Sequence, residues 1–291
     1  MNKSKPLQSF FLVRNCNLSK PIFLTSPHSG NIYDYDFLLN SNVPVDELRR
    51  NEDMFVDELL EGALDENFPL LSARYPRIFI DLNRGRFEID KTMFYDEEIN
   101  FNIDKTKYTR SGIGLIPKIS VNGEKIYKKK LIWSEIDKRI NTFYDPWHLK
   151  LKESLFELNN NYESSLLIDC HSMPSNLGLY KNNIPEIIIS NNFEKGESLK
   201  IANLMMKSFS DLGFTVSLNE HFYGGYITQY YNKIKKGISV IQLEIRRDLY
   251  MNENKLIKNS NFSKIQNILK NIIVELSDFI LDNEIRYKAA E

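Results

Sequence analysis

The chain has 291 residues, with 38 lysines and arginines against 39 aspartates and glutamates and a formal net charge of −1. That length suits one large α/β unit or two small ones with a sizeable core. So even a charge balance supplies no bulk field to hold nucleic acid or an anionic membrane, and no local basic patch replaces it.

From the N-terminus, the apolar stretch that follows Met1–Lys5 is broken by Arg14, Asn15 and Asn17, which argues against a secretion signal. No run approaches the roughly 20 apolar residues of a membrane span. The first strand is expected at Ile22–Thr25 and runs out into Pro27-His28-Ser29-Gly30, so His28 sits at a strand end. Asn51-Glu52-Asp53 opens an apparent helix through Phe55, Val56, Leu59 and Leu60. Its acids suit either a metal ligand or the favourable end of the helix dipole. A second strand is expected at Ile78–Leu82, closing in Asp81-Leu82-Asn83-Arg84, with Asp81 and Asn83 on one face and Arg84 offering a planar fork for a carboxylate.

From about Lys91 to Lys130 the sequence loses periodicity and gathers Lys, Asn, Asp and Gly, the pattern of a long insertion or lid. Helical spacing returns at Ile132, Ile136, Ile140 and Phe143. After an interruption at Pro146 it resumes at His148, Leu151, Leu155 and Leu158, which makes His148 a packing residue. A strand at Leu166–Asp169 leads into Asp169-Cys170-His171-Ser172-Met173, with Asp169 and His171 on one face and Cys170, buried and inert, on the other. Asp169 could then orient His171 from behind. A strand follows at Ile187–Ser190. The pair Gly224-Gly225 before Tyr226 permits close backbone approach to a ligand or a hairpin turn. The run Ile238–Ile245 holds Glu244 among apolar residues, where burial raises a carboxyl pKa toward the range of a general base; an ion pair with Arg246 or Arg247 is the competing account. The stripe Ile265, Ile268, Leu269, Ile272, Ile273 and Leu276 makes a packing helix.

Strands alternating with helices imply an α/β fold with a largely parallel or mixed sheet, which collects ligands at the carboxyl ends of its strands. No linker divides residues 1–291, so a single catalytic domain with a lid at about 91–130 is the simplest organisation. Cys16 and Cys170 are too few for a disulfide framework and suit a reducing compartment, the cytoplasm by default. Of four histidines, His28 and His171 both stand at strand ends, and two such imidazoles plus one carboxylate match the open three-ligand sites of catalytic zinc.

Taken together, Pro27-His28-Ser29-Gly30, the Asp53 region, Arg77 with Asp81-Leu82-Asn83-Arg84, Pro146-Trp147-His148, Asp169-Cys170-His171-Ser172-Met173, Gly224-Gly225-Tyr226-Ile227-Thr228 and Gln242-Leu243-Glu244 resemble the N-formylglutamate amidohydrolase family. The segments follow the family's order and cover nearly the whole chain. The resemblance implies a three-layer α/β/α fold akin to the zinc carboxypeptidases. It also implies cleavage of an N-formyl-L-glutamate-type amide to formate and glutamate, the last step of one histidine-degradation route, with a small-molecule carboxylate as the partner. By the same resemblance His28, Asp53 and His171 bind one Zn2+, Glu244 is the base, and Arg84, Asn83, Gly225 and Tyr226 contact substrate. A second substrate carboxylate needs a second cation, for which Arg77, Arg110 and Arg246 are candidates. Two departures stand out: residue 31 is asparagine where the carboxypeptidases carry a His-x-x-Glu acid, and Glu186–Gly196 lacks an arginine expected there. The rivals are hydrolysis of another N-acyl amino acid or a small peptide, and a non-catalytic binding protein on the same fold.

Overall fold

The computed structural model describes residues 10–15, 17–95, 102–176 and 184–288. Cys16, the Met1–Lys5 segment and positions 96–101 of the expected lid lie outside the described residues. Nine strands are present among them: β1 Phe11–Arg14, β2 Ile22–Ser26, β3 Leu70–Ala73, β4 Ser165–Met173, β5 Ile187–Ser190, β6 Val216–Leu218, β7 Ile238–Arg246, and the short pair β8 Met251–Asn252 and β9 Ile257–Lys258. The helices are α1 Tyr35–Leu39, α2 Val45–Arg49, α3 Val56–Leu59, α4 Glu61–Asp65, α5 Lys107–Arg110, α6 Trp133–Arg139, α7 Asp145–Asn161, α8 Glu197–Asp211, α9 Tyr226–Tyr231 and α10 Phe262–Lys288.

Seven strands form one sheet in the order β1-β3-β2-β4-β7-β5-β6. The four inner strands β3, β2, β4 and β7 run parallel, while β1 is antiparallel to β3, and β5 is antiparallel to β7. The inner strands are apolar because both faces are covered. Their alternating residues feed two clusters. Ile22, Leu24, Leu166, Ile168, Cys170, Ile241 and Leu243 pack against α3, α4, α8 and α10. Phe23, Leu71, Leu167, Ile238 and Val240 pack against α1, α2, α6, α7 and α9 on the other side. The result is a three-layer α/β/α arrangement with a mixed, largely parallel sheet. No helix among the described residues is long and apolar enough to cross a membrane.

Several elements differ from expectation. Ile78–Leu82 is not a strand: the chain turns after Pro76, and Ile78, Phe79, Ile80 and Leu82 are buried from an irregular segment whose Asp81 N–H donates to Leu115 O at 2.8 Å. Leu70–Ala73 takes the place beside β2 instead. The helix expected from Asp53 begins only at Val56, because Phe55 at its N-cap has φ 64° and Asp53 stays in the preceding turn. Pro146 does not interrupt the helical stretch. A π turn at Ile140–Tyr144 joins α6 to α7, and Pro146 stands just after that turn, whose widened backbone accommodates the missing N–H. The stretch between Lys91 and Lys130 sends Met93, Phe94, Leu115, Ile116 and Ile126 into the core and also walls the cavity described next.

Candidate active site

The sheet register builds half of the site. β2, β4 and β7 lie side by side, so Thr25 pairs with Asp169, Asp169 with Gln242, and His171 with Glu244. All five side chains project from the face shared with Leu167 and Val240, at the carboxyl ends of parallel strands. Loops supply the remainder: His28 just past β2, Asp53 before α3, and Asp81, Asn83 and Arg84 from the irregular segment after β3.

All of these but Thr25 and Asp169, which bond to each other, line a cavity of about 590 Å3. His171 Nδ1 lies 2.9 Å and His28 Nδ1 3.4 Å from the same oxygen of Asp53, Oδ2, and one ligand atom from each residue falls within 4.8 Å of the others. Behind them, each Nε2 meets a carboxylate: Asp81 Oδ1 at 2.7 Å from His28, and Asp169 Oδ2 at 2.9 Å from His171. Asp53's other oxygen, Oδ1, accepts from Arg247 at 3.1 Å. All three candidate ligands are buried.

His28 Nδ1 is a buried nitrogen with no hydrogen-bond partner. Such an atom is costly unless something else fills its lone pair. Zinc bonds of about 2.0–2.1 Å in tetrahedral geometry hold ligand atoms roughly 3.3 Å apart, close to the 2.9 and 3.4 Å that separate the two imidazoles from Asp53 Oδ2. Acid partners behind both imidazoles complete the carboxylate–histidine–metal pattern. His28, Asp53 and His171 therefore fit a divalent ion.

The buried charged groups also set one another's protonation. Burial works to raise the Asp53 carboxyl, but the His171 and His28 imidazoles that face it hold it well below the usual carboxylate range. Burial works against the charged His171 imidazole, but Asp169 and Asp53 push it well above its ordinary value. Burial works to raise Asp81 as well, yet Arg77 and Arg84 hold it well down, with Arg77 donating from Nη2 at 2.7 Å. Glu244 differs. Burial pushes it up to about 7 against the lowering effect of His171. Its Oε1 accepts from Gln242 Nε2 at 2.8 Å, not from Arg246 or Arg247.

Other expected residues fall out as follows. Asn83 is central: its amide approaches His171 Nε2 at 3.1 Å, and its Oδ1 accepts from Ile227 N–H at 2.8 Å. Gly225 lines the cavity at the start of α9 rather than in a hairpin, and a Cβ there would lie 2.4 Å from the Asn83 amide. Its N–H donates to Gln242 Oε1 at 2.7 Å. Arg84 is buried beside the cavity, donating to Ile113 O and Asn83 O with its guanidinium 4.0 Å from the Tyr108 ring. Tyr226 lies elsewhere: its ring stacks on Tyr230 and meets His148 edge-on, away from the residues that line the cavity. His148 bridges Tyr231 Oη and Leu82 O in the packing role expected of it. Arg110 and Arg246 do not line the cavity either. Sequence reasoning missed Gln242, Thr25 and Arg247 as site residues; the period-2 spacing of Gln242 and Glu244 was the available signal for the first.

The fold and this cleft define a mixed α/β protein with a candidate His-Asp-His metal centre at the carboxyl ends of its parallel strands. Residues 20–251 match the model of the N-formylglutamate amidohydrolase family, and the chain belongs to that family. It is 26% identical over 237 residues to the N-formylglutamate deformylase of Pseudomonas putida, covering 80% of this chain and 82% of that protein. The corresponding Pseudomonas aeruginosa protein is 25% identical over 242 residues, covering 80% and 83%. The crystal structure of an N-formylglutamate amidohydrolase from Ralstonia eutropha JMP134 superposes with a TM-score of 0.88 at 26% identity, covering 95% of this chain and 100% of that one. A gene product of Agrobacterium tumefaciens shares the fold at 17% identity with a TM-score of 0.68, covering 94% and 96%.

Proposed function

We propose that the chain is a zinc-dependent amidohydrolase that cleaves N-formyl-L-glutamate, or a closely similar N-acyl amino acid, to formate and L-glutamate. The observation that carries this reading is the buried, unpartnered His28 Nδ1 facing Asp53 and His171, with Glu244 paired opposite His171 across the sheet. Family membership supports the substrate. His28 and His171 through Nδ1, and Asp53 through Oδ2, would hold the ion. A divalent ion bound there supplies Lewis acidity to a carbonyl and to water.

Glu244 takes a proton from the attacking water, whose oxygen adds to the formyl carbon, and returns it to the amide nitrogen as the carbon–nitrogen bond breaks. A carboxyl raised toward 7 suits both transfers near neutral pH. Gln242 holds the Glu244 carboxylate in place. Arg77, whose Nε and Nη2 are committed to Asp81, and Arg84 form the positive wall that takes the substrate's α-carboxylate. The products fit the end of a histidine-degradation route in the cytoplasm.

Formate release from N-formyl-L-glutamate by purified protein, alongside metal analysis, tests the reading. One equivalent of zinc, activity lost to a chelator and restored by zinc, is the expected result. Zinc-loaded protein that releases no formate refutes it.

A further inference from the structure

A glutamate substrate brings two carboxylates into the cleft. Five cationic side chains among the described residues line it: Arg50, Arg77, Arg84, Lys107 and Arg247. Four already hold protein partners, and two of these, Arg77 and Arg84, form the wall assigned above to the α-carboxylate. Arg50 donates to Glu47 and to Glu253 O. Arg77 is bound to Asp81. Arg84 holds two backbone carbonyls. Arg247 spans Ser172, Arg50 O and Asp53. Arg110 and Arg246, the other candidates for a second cation, are turned to Lys105 O and to Asp248 with Glu186 respectively.

Lys107 is the exception. It stands on α5 at the cavity wall, exposed, with no carboxylate or carbonyl partner for its ammonium among the described residues. Its Nζ lies 5.0 Å from the centre of the Tyr108 ring and 5.9 Å from that of Tyr223. The Tyr108 ring also meets the Arg84 guanidinium at 4.0 Å, and Arg84 Nη2 in turn lies 3.8 Å from Asp81, the partner of His28. Lys107 and Arg84 thus both approach one ring, the arginine buried and the lysine exposed. Aromatic neighbours leave an ammonium's charge available while thinning the water around it, which strengthens a later ion pair.

We propose that Lys107 is the specificity-determining cation that binds the side-chain carboxylate of the substrate, which selects N-acyl derivatives of acidic amino acids. The inference rests on the amidohydrolase reading above. With the α-carboxylate at the Arg77 and Arg84 wall and the formyl group at the candidate metal centre, the remaining carboxylate of glutamate extends toward the mouth and Lys107.

The experiment compares kcat/KM for N-formyl-L-glutamate and N-formyl-L-glutamine, which differ in that one charge, in the zinc-loaded wild type, Lys107→Met and Lys107→Arg. The wild type is expected to prefer the glutamate substrate by roughly tenfold to hundredfold, the worth of one charge-assisted hydrogen bond. Lys107→Met should bring the ratio close to one, chiefly through a higher KM for N-formylglutamate, and Lys107→Arg should keep most of it. An unchanged thermal midpoint for Lys107→Met shows that the effect is not unfolding. A ratio retained by Lys107→Met, or a wild type indifferent to the two substrates, overturns the assignment while formate release keeps the amidohydrolase reading. No formate from either substrate overturns both.

Discussion

Replacing Gly225 by alanine tests whether the contact between α9 and the irregular segment after β3 holds the site together. The new Cβ would stand 2.4 Å from both Asn83 Nδ2 and Oδ1 and 2.5 Å from Cγ. Ordinary contact needs about an ångström more. If the Asn83 amide retreats by that amount, its 2.8 Å bond from Ile227 N–H is lost and its 3.1 Å approach to His171 Nε2 opens. A buried N–H left unpaired costs about 1–3 kcal/mol, and the overpacked contact adds about 1–3 kcal/mol. If the α9 backbone retreats instead, the 2.7 Å bond from Gly225 N–H to Gln242 Oε1 breaks, and Gln242 no longer fixes Glu244. Either route destabilises the fold by about 2–6 kcal/mol and misplaces a group at the reaction centre by about an ångström, which lowers kcat/KM roughly hundredfold. Urea denaturation followed by circular dichroism reads the first quantity and formate release the second. A variant within about 0.5 kcal/mol and twofold of wild type on both would refute the coupling.

The remaining predictions concern charge. Glu244 with its carboxyl raised to about 7 works as a base only when deprotonated, so kcat/KM should fall tenfold per unit as pH drops below its pKa. A neighbouring divalent cation sets that acid limb at or below pH 7. Glu244→Gln should cut kcat/KM at least hundredfold and abolish the limb; an intact limb in the variant means another group is the base. Asp81→Asn removes the acid behind His28 Nε2 and should weaken zinc binding about 10–100-fold in a titration against a competing chelator, whereas an unchanged affinity denies Asp81 that role. Glu52, next to Asp53 in sequence but not lining the cavity, is raised to about 7 by burial despite the Tyr33 hydroxyl that donates to it. The native state therefore holds its proton more tightly than the unfolded chain. Stability from this group is full below about pH 4.5 and lost as pH rises through 7, a swing of as much as about 3 kcal/mol. Denaturation midpoints of wild type and Glu52→Gln should diverge across that window, and parallel curves would show that Glu52 is ionised in the fold.

What the sequence reveals follows from which interactions are local. β2, β4, β5 and β7 are legible because strands covered on both faces must be apolar runs, and the period of two then puts Asp169 and His171 on one face of β4, whereas the register that brings Gln242 and Glu244 beside them belongs to the fold. β1 and β6 lie at the sheet edges, three or four residues long, and Leu-Leu-Ser-Ala of β3 has neither alternation nor β-branching to mark it. Ile78–Leu82 misleads for the opposite reason: its composition is that of a strand, but the residues are buried by packing from a loop whose backbone bonds to Leu115. Lys107 and Tyr108 reach the cavity from a stretch without periodicity, so nothing local marks them as facing it. Asp53 lies 118 residues from His171, and only the fold joins them.

That division carries over to the chemistry. His171 and Glu244 stand opposite each other on adjacent parallel strands, a spacing of about 4.8 Å set by backbone hydrogen bonding and hard to perturb from outside. Asp53 and His28 come from loops and depend on side chains for their aim: Arg247 holds Asp53 from one side, and Arg77 holds the Asp81 that orients His28. The sheet therefore fixes the distance between the proposed base Glu244 and the candidate ligand His171, while Arg247 and Arg77 hold the acids that aim the other two candidates. Changes to the arginines should act first on metal affinity, because the base keeps its place on β7. Changes to Gln242 or Gly225 should act first on turnover, because they bear on Glu244 directly.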